Sequence, residues 1–326
     1  MTMTNVLIIG AAGKMGKWFF EYFNQKLVTK RLEICQVDKI FLYDIKKIEY
    51  LQNSKTQNIS AVENVSESIK KSDIVIFCTP YKVIIDELNK YMSVFKPGSI
   101  VIEISSIKSK TYDIMKDIAL KGDVTTLCIH PMFGPGASFT SKENNILHIP
   151  VNKDNMEKEK RYLQKIFPLY NKIIIESPGK HDLYISIIIS LVYFINMVFS
   201  KFLASLSEMK ELGNEKISIK TLKKISGNTF KMQSLLSESI LTDDLSLFTT
   251  LLLNNDKTLV VAKSYEKILN QLLTQIERKD QAFLNNLLLS VRKEIGKQVD
   301  IEKSYKRLYD FLNFQGSFND DCDYSN

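Results

Sequence analysis

Gly10-Ala11-Ala12-Gly13-Lys14-Met15-Gly16 follows the apolar run NVLIIG and opens a helical pattern that begins at Lys17. The chemistry of a strand, a glycine loop and a helix in that order is anion binding. Gly10 permits a tight turn, Gly13 lets backbone approach a pyrophosphate, and Gly16 allows close helix–strand packing. The helix N-terminus adds N–H donors and the positive end of its dipole. The spacing departs from G-x-G-x-x-G because Ala12 takes the middle position. A glycine pattern alone is weak, and the flanking strand and helix supply the missing context. A second apolar run, KIFLYD, ends at Asp44. An acidic residue there accepts from the adenosine ribose hydroxyls and favours NAD, while Lys46 and Lys47 just beyond leave NADP open. Cys78-Thr79-Pro80 closes the run DIVIFCTP and is expected beside the cofactor.

His130 ends the run TTLCIH, ahead of Pro131-Met132-Phe133-Gly134-Pro135-Gly136. That puts an imidazole at the carboxyl edge of the sheet, where ligands sit in open α/β folds. Oxidising an alcohol by hydride transfer needs a group that takes the hydroxyl proton, and imidazole suits this near neutral pH. Ser105-Ser106-Ile107-Lys108 ends SIVIEIS and starts a helix. A Ser there is an N-cap or a hydrogen-bond partner of His130 or of the substrate. His148, in the middle of ILHIPV, reads as structural. His130, His148 and His181 lie too far apart to form a local ligand cluster, so no metal is expected.

The elements that must position these residues divide the chain in two. Residues 1–178 alternate apolar β-type runs (5–10, 39–44, 73–80, 99–105, 125–131, 146–151, 172–177) with amphipathic stretches. This predicts a doubly wound parallel sheet covered on both faces, an α/β dinucleotide-binding domain. All seven Pro lie at or before Pro178. From 179 to 316 the pattern is helical, with Tyr265, Ile268, Leu269, Leu272, Leu273 and Ile276 forming one apolar stripe. Residues 317–326 read as a disordered tail. Eighteen uncharged residues lie between Asp182 and Lys201. They reach the lower edge of a membrane span, but Ser186, Ser190, Asn196 and Ser200 interrupt them, which favours the centre of a helical bundle.

The formal net charge is +7, with no basic run long enough for a nucleic-acid stripe, and the excess suits a small anionic ligand. The four Cys show no CxxC spacing and read as free thiols of a reducing cytoplasm. MTMTNVLIIG carries no basic segment or long apolar core of a signal peptide.

GAAGKMG, Ser106-Ile107-Lys108, HPMFGPG and His181-Asp182 opening a long apolar helix together resemble the prephenate/arogenate dehydrogenases of tyrosine biosynthesis. The resemblance implies a dinucleotide domain, a helical domain that interlocks two subunits, and NAD(P)-dependent oxidative decarboxylation. His130 matches the proton-accepting His, and Ser106 matches a Ser that hydrogen-bonds it and the substrate. Ser105, His181 and Asp182 fall at the substrate pocket in this resemblance. Two positions depart from the family. Tyr193 stands in Leu191-Val192-Tyr193-Phe194 where the family has a substrate-binding His. No Arg occurs between Arg161 and Arg278, so the family's carboxylate clamp is missing, and Lys231 is the candidate substitute, as a point charge without the bidentate fork. The cofactor end matches and the substrate end does not. A changed hydroxy-acid substrate, or a silent NAD-binding dimer, therefore stays open beside the family activity.

Overall fold

The computed structural model describes residues 3–29, 36–53, 57–152, 155–209 and 217–315. The expected tail at 317–326 lies outside them. The β-type runs become β1 (Met3–Ile9), β2 (Gln36–Tyr43), β4 (Ile74–Phe77), β5 (Ile100–Glu103), β6 (Thr125–Pro131), β7 (Asn145–Ile149) and β8 (Asn171–Ile174). A short strand without an apolar run, β3 (Ile59–Ala61), completes one sheet of order β3-β2-β1-β4-β5-β6-β7-β8 among the described residues. Neighbours from β3 through β6 pair in parallel. The far edge corrects the all-parallel expectation, because β7 runs antiparallel to β6 and parallel to β8. The physical reason is the connection. Residues 132–144 carry no helix, and a short helix-free return reaches an antiparallel neighbour, whereas a parallel one needs a crossover.

Successive strand residues point to opposite faces. Val6, Ile8, Ile40, Ile76, Ile102 and Ile129 pack on one face with α1 (Lys14–Thr29) and α5 (Met156–Ile166). Leu7, Ile9, Val75, Phe77 and Val101 pack on the other with α2 (Val65–Lys71), α3 (Tyr81–Tyr91) and α4 (Ser109–Lys121). Both faces being covered explains why these runs are apolar without alternation. On the first face, Trp18 stacks on Tyr22 at 5.4 Å between ring centroids, and its Nε1 donates to the Ala137 carbonyl at 2.9 Å. Trp18→Phe removes that donor and is expected to destabilise the protein by about 1–2 kcal/mol, read as a lowered urea midpoint at unchanged slope.

After residue 177 the described elements are helical: α6 (Pro178–Ile185), a π turn (Ser186–Ser190), α7 (Leu191–Ala204), α8 (Ile219–Ile225), α9 (Asn228–Ile240), α10 (Leu245–Leu253), α11 (Asp256–Glu277), α12 (Gln281–Gly296) and α13 (Ile301–Gln315). The chain folds as two compact units, Met1–Phe194 with Asp243–Leu259, and Ile195–Thr242 with Val260–Asn326. The division between these units falls inside the long helix. Hydrogen bonds tie the α10 segment to α6 and the π turn. Ser190 Oγ donates to Leu251 O at 3.0 Å, and Asn255 Nδ2 donates to Asp182 O at 2.8 Å. In the second unit, Asn196 Oδ1 accepts from Gln233 Nε2 at 2.8 Å and from Ser237 Oγ at 2.7 Å.

The apolar run was expected at the centre of a bundle. Pro178–Ala204 is one helix of 27 residues, long and apolar enough to cross a membrane, but only 22% of its most apolar window is buried in the single chain. Leu183, Tyr184, Ile187, Ile188, Val198 and Phe202 are all exposed. The stripe on α11 likewise leaves Ile268, Leu269, Leu273 and Ile276 exposed. The helices form as the periodicity requires, but one chain does not cover their apolar faces.

Candidate functional site

The glycine loop is built as its spacing requires. Gly10 has φ +87°, and a Cβ there would stand 2.8 Å from the Cys78 carbonyl carbon. A side chain at this position is thus opposed by backbone conformation and by the end of β4 together. A Cβ on Gly16 would collide with the Gly10 carbonyl oxygen. Gly13 is less constrained, its Cβ falling 3.3 Å from the same oxygen. Gly10 N and Ala11 N donate to Tyr43 O at 2.9 and 3.0 Å. Helix α1 starts at Lys14 with no acidic residue in its first turn, so no carboxylate there competes with an anion for the first-turn N–H groups. Lys14 and Met15 belong to that first turn.

Asp44 stands just past the end of β2, as the sequence implies, and it also ties the loop. Its Oδ2 accepts from Ala12 N at 2.9 Å and its Oδ1 from Lys46 N at 2.8 Å. Each carboxylate oxygen keeps capacity for a further donor. Across the loop, Cys78 is half-buried and burial pushes its thiol far up, so it is an inert wall. Thr79 Oγ1 donates to Glu87 Oε2 at 2.7 Å, and burial raises the Glu87 carboxyl. Pro80 sits exposed at the N-cap of α3. The cradle, the strand-end carboxylate and a helix start without a first-turn carboxylate fit a dinucleotide.

On β6, Cys128 and His130 share the sheet face that α4 covers. His130 is 5% exposed. Its Nδ1 lies 3.1 Å from Nε2 of His181, and His181 Nδ1 lies 2.8 Å from Asp182 Oδ1. Asp182 then accepts Lys108 N on Oδ1 at 2.9 Å, Ser109 N on Oδ2 at 3.0 Å, and the Ser109 hydroxyl. Burial, the neighbouring His181 and Lys108 hold His130 well below the usual imidazole range. Burial also lowers His181, against the opposing pull of Asp182. For Asp182 burial alone would raise the carboxyl, but hydrogen bonds from His181, Ser109 and the Lys108 backbone overcome it and hold it low. Tyr81 stands close by, pushed up to about 12 by burial and then by Asp182.

Several expected roles change here. His181 and Asp182 are buried at 0% and 3%, and His181 bonds His130 while Asp182 bonds His181 and the start of α4. Asp182, not Ser105 or Ser106, caps α4, whose N-cap residue Lys108 has no side-chain cap of its own. Ser105 is buried with its hydroxyl on Glu103 Oε2 at 2.6 Å and Ile107 O at 2.7 Å. Ser106 is half-buried, and the partner of His130 Nδ1 is His181 in its place. Tyr193 donates to Asp243 Oδ2, so its hydroxyl is held by a carboxylate. Lys231 is exposed on α9, in the second unit.

One buried cluster escaped the sequence reading. Lys108 and Glu103 are both 0% exposed and paired at 2.5 Å. Lys108 Nζ also donates to Ile129 O at 2.5 Å, and Cys128 Sγ lies 2.9 Å from Glu103 Oε1. The signal was present in SIVIEIS. A charge in a strand buried on both faces demands a partner, and Lys108 was the near candidate.

Residues 30–165 match the nucleotide-binding domain of prephenate dehydrogenase. The match begins after the glycine loop, which therefore stands on its geometry. A protein of Methanocaldococcus jannaschii described as a probable arogenate/prephenate dehydrogenase is 23% identical over 305 residues, 91% of this chain. The chain spans 62% of that relative's length. Among solved structures, prephenate dehydrogenase of Aquifex aeolicus, in complex with hydroxyphenyl propionate and NAD+, superposes with TM-score 0.67 at 19% identity, over 91% of this chain and 99% of that one. Synechocystis arogenate dehydrogenase does so with TM-score 0.62 at 17% identity, over 90% and 100%. At these identities the structural likeness is one of fold.

Proposed function

The chain carries a nucleotide-binding domain of the prephenate dehydrogenase family, and from that premise we propose that it is an NAD-dependent prephenate or arogenate dehydrogenase of tyrosine biosynthesis. One observation supports the reading above the others. His130, at the carboxyl edge of the sheet, is bonded through Nδ1 to a buried partner, while no described residue bonds Nε2. Bound NAD supplies the hydride acceptor. Gly10 to Gly16 and the start of α1 would hold its pyrophosphate, and Asp44 would receive the adenosine ribose hydroxyls. His130 Nε2 takes the proton of the ring hydroxyl as that carbon is oxidised. The ring carboxylate then leaves as carbon dioxide, and the ring becomes aromatic.

The substrate end supports a second reading beside the first. The Tyr193 hydroxyl is engaged by Asp243, and no described Arg stands in the segment where the family has its clamp. These departures support an altered hydroxy acid as substrate as well. The deciding experiment mixes protein and NAD with prephenate, then with arogenate, and follows reduced nicotinamide. Turnover with either carries the first reading. Bound NAD without turnover on either carries the second.

The exposed apolar faces of α6, α7 and α11 are, in this reading, covered by a second copy of the chain rather than by lipid. Free Cys78 and Cys128 suit the cytoplasm. Asp44→Asn keeps an oxygen for Ala12 N but removes the charge. It is expected to lower kcat/KM for NAD about tenfold with little change for NADP, read from the ratio of the two.

A further inference from the structure

We propose that His181 and Asp182 are positioning residues that dictate which nitrogen of His130 is free to act as base, and that they share the positive charge when it does. The inference deepens the function proposed above and rests on it. It stands on the geometry of donors and acceptors. Asp182 receives backbone N–H groups from Lys108 and Ser109 and a hydroxyl from Ser109. A carboxyl group surrounded by donors is an acceptor, so the bond to His181 Nδ1 needs its proton on the imidazole. Neutral His181 is then bare at Nε2. That nitrogen lies 3.1 Å from His130 Nδ1, so His130 must supply the proton between them. Neutral His130, protonated at Nδ1, is consequently bare at Nε2, the nitrogen no described residue bonds. One buried carboxylate thus fixes the tautomers of two rings in series.

The surrounding groups agree with this assignment. Lys108 ahead of α4 is the positive charge nearest both rings, and both rings are held neutral. Its own charge is satisfied by Glu103 on β5, with Cys128 of β6 on the same carboxylate. Tyr81 of α3 feels Asp182. Asn255 binds the Asp182 carbonyl and fixes the turn that carries both relay residues. When the substrate O–H bond breaks, the proton goes to His130 Nε2. The proton on His130 Nδ1 moves toward His181 Nε2, and the positive charge comes to rest beside the Asp182 carboxylate. No electrons pass through these groups; the NAD of the proposed reaction takes the hydride.

The test is nitrogen NMR of the full-length protein labelled with 15N-histidine, together with steady-state kinetics. The expected wild-type spectrum shows His130 protonated at Nδ1 and bare at Nε2 at neutral pH. Asp182→Asn can offer an N–H to His181 Nδ1. It is then expected to reverse both tautomers, so that His130 carries its proton on Nε2. In the kinetics kcat should fall about 10²–10⁴-fold with KM for NAD and substrate unchanged. His181→Gln, which keeps α4 capped by Asp182, should lower kcat similarly. A wild-type His130 protonated at Nε2 would overturn the relay. So would two folded variants with kcat and pH profile within about twofold of wild type. If the wild type turns over neither prephenate nor arogenate, the proposed function fails, and the tautomer spectrum, which needs no substrate, still decides the relay.

Discussion

His130→Asn is expected to lower turnover by about 10²–10⁴-fold, the range a positioned general base contributes, while NAD binds as before. The separation follows from where the two functions sit. In the proposed function the dinucleotide would be held by the turn after β1 and by the residue just past β2, where Gly10 and Gly16 admit no side chain and Asp44 ties the loop. His130 is on β6, with β4 and β5 between it and β1. Asn keeps a polar group on the His181 side and removes the proton acceptor, so the fold need not respond. Titrating NAD by fluorescence and measuring kcat on the same samples checks both halves. Equal kcat in the variant would remove His130 from the chemistry. The wild-type pH profile carries the same information. Burial first, then His181 and Lys108, lowers the His130 pKa below about 6.5. The base form therefore persists as pH falls through the ordinary imidazole range, and kcat/KM should decline only below it.

Lys108→Met is expected to destabilise the protein by about 3–5 kcal/mol, because it leaves the Glu103 carboxylate buried without a counter-charge. It also deprives Ile129 O of its donor, directly before His130. The double variant Lys108→Met, Glu103→Leu should recover most of the loss, since an apolar pair of similar volume removes both desolvation penalties. Urea unfolding of the two single variants and the double closes the cycle. Additive losses would mean that the pair is not coupled. Recovered stability without recovered activity would show that the ion pair serves the strand end carrying His130 more than the fold itself.

The sequence made the sheet legible because its strands are buried on both faces and read as uninterrupted apolar runs. It hid β3, whose three residues are largely exposed and carry no such run. It hid the antiparallel β7, since a strand's direction is set by the connection that feeds it. The glycine loop and Asp44 were legible because backbone conformation and close approach dictate residue type locally. The partner of His130 was not, because it comes from 51 residues further along. The nearest serines suggest the cap of α4 for the same reason. Local spacing names a cap, while only tertiary contact brings Asp182 there. The apolar helix showed how much surface needed cover, and a sequence holds no statement of whether that cover comes from the same chain.

The carboxylate that caps α4 lies 74 residues beyond the backbone N–H it receives. During synthesis, β1 through β6 and α4 emerge with the Lys108 and Ser109 amides still waiting and with His130 lacking its neighbour. Two consecutive residues, His181 and Asp182, then close the helix start and orient the base in one step. Contacts of such long separation form late and slowly. A chain interrupted before Asp182 would contain every strand of the sheet and still possess neither a finished α4 nor an oriented base. Closing the start of α4 and giving His130 its partner are therefore the same event, and Asp243–Leu259 is still to be added to the first unit.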